Sequence, residues 1–236
     1  MQRRVVALLP DRPVEQLRLA GIVFQATGST READDWLGRL TPAQLDSPSV
    51  INDRKFWANV KGNYAEWTRL DAVQSYFDED DTPHGLQAVD AALIMAAHGD
   101  LAGAIVRLGN FPAEVRSQLK LEPANVRLMR GLSIMEALLG QKEEALRDAR
   151  KAVELMPETL DAYGGTQNSC SLAAVYAWTG DKDRAIAELA RLLLIPVGGG
   201  GMSVHTLRVD AAFAPLRGDS RFEALLKDPK NNAPLF

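Results

Sequence analysis

Five glycines at intervals of 34 to 41 residues constrain the fold of this chain more than any other feature. Gly28, Gly62, Gly99, Gly140 and Gly180 each follow an apolar pattern with helical spacing and precede another such pattern. At the end of a helix, glycine adopts the left-handed backbone conformation without steric cost. The spacing therefore predicts a unit of helix, tight turn and helix that is repeated about five times.

The amino-acid composition favours the same fold class. The chain has 33 Ala and 31 Leu but only 16 Val and 7 Ile. Ala and Leu are strong helix formers, whereas Val and Ile are enriched in strands. The composition therefore predicts an all-α protein and argues against a β-sandwich, a barrel or a parallel sheet.

The clearest repeat unit covers residues 126–157 and resembles the tetratricopeptide repeat, a helix pair of 34 residues. Small residues at two of its positions allow the paired helices to approach closely. The unit departs from the family pattern at Glu136, where an aromatic residue is usual. The residues that match the pattern are Met129, Leu132, Ser133, Gly140, Ala145, Ala149, Ala152 and Pro157.

Four other units carry this pattern less completely. The unit around Gly99 meets Pro112, which predicts that its second helix breaks near Phe111. The unit around Gly62 matches worst, because Arg54 and Lys55 occupy positions that are usually apolar and small. The first unit matches at Leu17, Gly21, Phe24, Gly28 and Ala33, and the last at Leu172, Ala173, Tyr176, Gly180 and Ala185.

This resemblance implies a right-handed α-α superhelix, a solenoid of about five helix pairs with a short helical C-terminal cap. We expect the repeat array to cover residues 1–196. A glycine-rich loop and a helical cap packed on the array are expected at residues 197–236. Asp210 and Asp219, each three residues before a phenylalanine, predict N-caps of two short helices. Val5 and Pro10 stand where the end of an earlier repeat would have them, so we expect a truncated first unit or the end of a longer array.

The passage from about residue 176 to residue 222 is similar to the end of the tetratricopeptide region of large bacterial regulators. Those proteins carry a kinase, winged-helix or cyclase domain, in some cases with a TolB-like segment. The resemblance implies that this chain is the sensory or partner-binding arm of such a regulator. We expect it in the cytoplasm, or in the periplasm if it belongs to a membrane-anchored regulator.

The resemblance also indicates a binding surface, since five positions of each first helix line the concave face of a tetratricopeptide array. We expect Arg127 and Arg130 to bind a carboxylate, and Trp178 or Phe56 to anchor an apolar side chain. The alternative is that the arginines are solvated or paired with Glu122 or Glu158 and that Trp178 belongs to the core. The predicted peptide- or partner-binding residues are Asn52, Phe56, Asn59, Arg127, Arg130, Gln167 and Trp178.

Other function classes have weaker support. The net charge is −4, whereas nucleic-acid-binding proteins usually carry a basic field. No apolar run approaches the ~18 residues that span a membrane. The acidic run at residues 78–81 lacks the spaced ligands and the glycine of a calcium loop. We therefore expect a protein or peptide partner, with no nucleic acid, no membrane insertion, no metal and no cofactor.

Catalysis is not expected, and the leading hypothesis is a non-catalytic interaction module. One alternative is a domain that senses a small molecule in a pocket between the array and the cap. The other is a hydrolase on a helical-repeat scaffold, in which the single cysteine, Cys170, would pair with His205. The sequence leaves the partner and the oligomeric state open.

Overall fold

The computed structural model describes residues 13–73, 84–195 and 202–232, which form helices and no strand. This confirms the all-α prediction. The predictions for residues 1–10, 78–81 and 198–201 lie outside the described residues. In chain order the helices are α1 (Pro13–Thr27), α2 (Arg31–Leu37), α3 (Pro42–Leu45), α4 (Pro48–Val60), α5 (Tyr64–Val73), α6 (His84–Ala97), α7 (Leu101–Leu108), α8 (Phe111–Leu121), α9 (Val126–Leu138), α10 (Lys142–Leu155), α11 (Gly164–Trp178), α12 (Lys182–Leu192), α13 (Val204–Val209), the 3-10 helix η1 (Ala211–Leu216), α14 (Ser220–Lys227) and the 3-10 helix η2 (Pro229–Asn232).

Within the described residues, the two helices of each predicted pair pack against each other: α1 with α2, α4 with α5, α6 with α7, α9 with α10, and α11 with α12. All five glycines that separate the paired helices have a positive φ, between 67° and 91°. The glycine spacing thus predicted the turns correctly. The superhelical arrangement implied by the tetratricopeptide resemblance stays a prediction.

The chain divides into two compact units, and the boundary between array and cap at residue 196 stays a prediction. The first unit joins the chain up to residue 77 with residues 203–209, and the second joins residues 78–202 with residues 210–236. The expected cap is therefore shared between the two units. Its first helix, α13, packs against α1, whereas α14 packs against α12.

The core of the first unit lies between α1, α2 and α4. Phe24 packs edge-on against Trp57, with their ring centroids 5.8 Å apart, and Leu17 and Ala33 are buried in the same cluster. The imidazole of His205 in α13 lies against the turn at Gly28, where an added Cβ would come within 2.6 Å of Nδ1. This contact places α13 beside α1.

The weakest repeat unit contains a buried ion pair that accounts for its unusual residues. Lys55 of α4 is 1% exposed, and its ammonium donates a hydrogen bond to the carboxylate of Asp71 in α5. The same Nζ lies 5.7 Å from the centre of the Trp67 ring. Arg54, its neighbour, donates to Glu66 Oε1 over 2.7 Å. Polar partners on α5 thus replace the apolar contacts that the repeat pattern predicts here.

In the second unit, the first helices α6, α9 and α11 pack in a row, since α9 contacts both α6 and α11. Ala104, Ala145 and Ala185 are fully buried on the second helices α7, α10 and α12. The helix break predicted near Phe111 is present. Helix α7 ends at Leu108, and α8 begins at Phe111 with a proline in its first turn.

The two predicted N-caps are confirmed. Asp210 accepts a hydrogen bond from the amide of Ala212 over 2.8 Å at the start of η1. Asp219 accepts one from the amide of Arg221 over 3.0 Å at the start of α14. Each capped helix buries its phenylalanine, since Phe213 and Phe222 are 1% and 0% exposed.

Candidate functional site

The predicted concave surface is the side of the first helices on which the candidate binding residues lie, and we call it the first-helix face. In the first unit, α13 packs against α1. In addition, the Nδ2 of Asn59 in α4 donates to the carbonyl of Val209 over 3.4 Å. The chain's own C-terminal part therefore contacts this face in the first unit.

The same happens in the second unit, where η1 packs against the first helices α6 and α11. It buries the side chains of Ala211, Phe213 and Leu216. We refer to residues 204–216, which form α13 and η1, as the C-terminal segment. The face positions nearer the C-terminal ends of α9 and α11 are buried, namely Ile134, Ala137, Leu138, Ala174 and Ala177. These positions are therefore not open to a partner.

The positions at the N-terminal ends of α9 and α11 have a different character. The Nη1 of Arg130 in α9 donates to Oε1 of Gln167 in α11 over 2.7 Å. Arg130 and Gln167 are half-buried, and Arg127, one helical turn earlier, is exposed. We call Arg127, Arg130 and Gln167 the arginine end of the face. The structure thus brings together the polar residues that the repeat register predicted for two consecutive first helices.

The charge of Arg130 is incompletely compensated at this site. Partial burial is the main cause that lowers the pKa of its guanidinium, and the neighbouring charge of Arg127 lowers it further. Asp90 of α6 acts in the opposite direction but does not outweigh them. Because two effects disfavour the charged form, an added anion would be stabilised here. Sequence reasoning missed Asp90, which lies on a neighbouring first helix.

Two groups of the second unit complete this polar region. Burial raises the pKa of the Asp210 carboxyl, while its capping bond from Ala212 and the charge of Arg217 lower it. Burial, followed by the charge of Asp210, raises the pKa of the Cys170 thiol to about 12. The thiol is therefore protonated at neutral pH, whereas the nucleophilic form of cysteine is the thiolate.

The other predicted residues are placed as follows. In the first unit, Phe56 is 47% exposed and lies edge-on to Trp57, with ring centroids 5.0 Å apart. Asn52 is half-buried there, and its Oδ1 is buried without a hydrogen-bond partner among the described residues. In the second unit, Trp178 is half-buried, and its Nε1 likewise has no partner within the described ranges. Phe56 is thus an exposed aromatic surface, whereas Trp178 is partly in the core.

Glu158, one of the two acidic residues considered as alternative partners of the arginines, bonds to other residues. Glu158 accepts hydrogen bonds from both terminal nitrogens of Arg191, over 2.6 Å and 2.8 Å. It also accepts one from the hydroxyl of Ser169 over 2.6 Å. These contacts tie the loop before α11 to α12 and leave Arg130 bonded to Gln167.

Within the described ranges, no group of three or more His, Cys, Asp or Glu side chains has the arrangement of a metal site. Cys170 and His205 belong to different compact units. No helix in the described part of the chain has the length and apolar character needed to cross a membrane. Comparison of the chain with family models, curated proteins and solved structures finds no match.

Proposed function

We propose that this protein is a non-catalytic interaction module that binds an acidic segment of a partner protein at the arginine end. The observation that carries the proposal is the hydrogen bond between Arg130 and Gln167. It holds a half-buried guanidinium in one orientation beside the exposed Arg127. A cation that is oriented before binding loses less conformational freedom when a ligand arrives.

Charge complementarity identifies the chemistry of the partner. The bond to Gln167 uses one of the five N–H donors of a guanidinium, and a planar guanidinium matches a carboxylate in a two-point arrangement. Burial and Arg127 disfavour the charge of Arg130, so a carboxylate placed between the two arginines would relieve both effects. The partner segment therefore carries Asp or Glu at the position that reaches this site.

Burial of the other positions on the first-helix face limits the length of the partner segment that can bind there. Since Ile134, Ala137 and Leu138 are 6% exposed or less, the partner does not lie along the whole length of the first helices. A short segment that engages the arginine end is the arrangement that fits. Affinity in such a contact comes from a few anchors.

The proposal of a non-catalytic role is supported by the chemistry of Cys170. A thiol with a pKa of about 12 is a poor nucleophile at neutral pH. From the resemblance to bacterial regulators we also propose that the module serves as the partner-binding arm of a cytoplasmic regulator. A signalling domain in the same reading frame or operon would support that role.

Substitution of Arg130 by glutamate tests the binding site. Short displayed peptides selected on the full chain are expected to be rich in Asp and Glu. Reversing a half-buried charge should cost about 2–5 kcal/mol of binding, so an enriched peptide should bind at least about thirtyfold more weakly to Arg130→Glu in calorimetry. Arg150→Glu, at an exposed site on α10, is the matched control and should bind as the wild type does.

Two outcomes would contradict the assignment. Equal loss of affinity in Arg130→Glu and Arg150→Glu would show a general effect of net charge. Unchanged affinity in both variants would show that the peptide binds at another site. If a small carboxylic acid raised the melting temperature of the wild type but not of Arg130→Glu, and no peptide bound, the small-molecule alternative would replace a protein partner.

A further inference from the structure

Glu136 of α9 is a fully buried carboxylate, and within the described residues one of its two oxygens accepts a hydrogen bond. Its side chain is 0% exposed, and Oε1 accepts from Nη2 of Arg116 in α8 over 3.0 Å. The same Nη2 donates to Oε1 of Gln141 over 2.6 Å. The second oxygen, Oε2, is buried without a hydrogen-bond partner among the described residues. A charged carboxylate in this position lacks part of the solvation that water would give it.

The charged groups that act on this carboxyl come from the two helices on either side. Arg116 from α8 and Arg147 from α10 favour the anion, and Asp148 from α10 disfavours it. Burial is the largest effect, and with Asp148 it raises the pKa of Glu136 to about 7. The ion pair with Arg116 therefore compensates only in part for the loss of water. Near neutral pH, the carboxyl changes between its two protonation states.

Helix α8 is weakly anchored at the point where it meets Glu136. It follows the break after α7 and packs against α6 and α9. Only Pro112 and Val115 of its residues are buried, and Leu121 at its end is 84% exposed. Segments with few buried side chains open with a lower free energy than the rest of a fold. Opening of α8 would remove Arg116 and admit water to the carboxylate.

We propose that Glu136 is a proton-controlled latch for α8, which is held against α9 when the carboxyl is neutral and loosened when the carboxyl is charged. The direction follows from linkage. The closed state has the higher pKa, about 7, because it excludes water from the carboxyl. The open, hydrated state has a pKa near the ordinary 4.5, so protonation favours the closed state below pH 7. As the pH rises through 7, this stabilisation of the closed state is lost.

Hydrogen exchange of the intact protein tests the latch. With a pKa of about 7 in the closed state and 4.5 in the open state, the opening equilibrium of α8 should rise about tenfold from pH 6 to pH 8. This rise is measured after correction for the intrinsic exchange rate. Glu136→Gln, which resembles the neutral carboxyl, should keep α8 protected at both pH values.

Two further variants sharpen the test. Arg116→Met removes the compensating cation, so it should loosen α8 strongly at pH 8 and only slightly at pH 6. Glu154→Gln, at an exposed position of α10, should leave the wild-type pH dependence unchanged. The amides of α12 serve as an internal reference because α12 packs mainly against α11 and α14, whereas Glu136 lies on α9.

Three results would overturn the proposal. The first is that the exchange of α8 in the wild type does not depend on pH after correction for the intrinsic rate. The second is that the exchange of α8 and α12 changes together with pH, which would mean that the whole protein opens. A pH dependence that persists in Glu136→Gln would assign the effect to another group.

Discussion

Replacement of Lys55 by alanine is expected to lower the free energy of unfolding by about 3–5 kcal/mol. The ammonium of Lys55 and the carboxylate of Asp71 are side chains that are only 2% and 10% exposed. Removal of one partner takes the opposite charge of the pair away from the other buried charge, and this costs more than the ion pair contributed. The cation also lies over the Trp67 ring, so its loss removes a favourable contact with the aromatic face.

Urea unfolding followed by tryptophan fluorescence measures this effect. A surface pair in the same unit provides the control, since Lys61 also donates to an aspartate, Asp34, but the two side chains are 36% and 48% exposed. Lys61→Ala should cost at most about 1 kcal/mol. The double variant Lys55→Met, Asp71→Leu should recover most of the stability, because no charge is then left buried. An equal cost for the two lysines would show that the pair at Lys55 is hydrated.

Replacement of Phe213 by alanine is expected to cost about 3–5 kcal/mol. Phe213 is 1% exposed and lies in η1, which packs against α6 and α11. Its ring fills space between the C-terminal segment and the first helices, so truncation leaves a cavity as well as removing apolar contact. The effect is large because a 3-10 helix of six residues contributes few hydrogen bonds of its own.

Chemical unfolding followed by circular dichroism measures the loss at Phe213. Leu160→Ala is a suitable control, because Leu160 is 72% exposed in the loop before α11 and its truncation should change the free energy by at most about 0.5 kcal/mol. A cost at Phe213 as small as that at Leu160 would mean that η1 does not cover the first helices in solution.

The local features of this fold were predictable from the sequence because they depend on residues close together in the chain. The five turn glycines, the helix break before Phe111 and the caps at Asp210 and Asp219 each follow from backbone conformation or a short hydrogen bond. The residues Lys55 and Asp71 are 16 positions apart. In the sequence, Lys55 therefore appears only as a departure from the repeat pattern, because its partner Asp71 lies on the next helix.

The candidate site was predictable only in part. The repeat register placed Arg130 and Gln167 on the same predicted face of two successive first helices, and the structure joins them by a hydrogen bond. The path of the C-terminal segment was not predictable, because its contacts with α1, α6 and α11 join residues far apart in the sequence. The effect of the Asp90 charge on the pKa of Arg130 was not predictable either, because these two residues are also far apart in the sequence. Register predicts which residues share a face but does not predict what covers that face.

The C-terminal segment packs on first helices in each unit, and we propose that it leaves the arginine end for a partner. Nuclear Overhauser spectroscopy of the isotope-labelled protein tests it most directly. The structure predicts cross-peaks between the His205 ring and the α protons of Gly28, and between the Phe213 ring and methyl groups of α6 and α11. If both sets are absent while cross-peaks within the paired helices are present, the first-helix face is open and the claim is wrong.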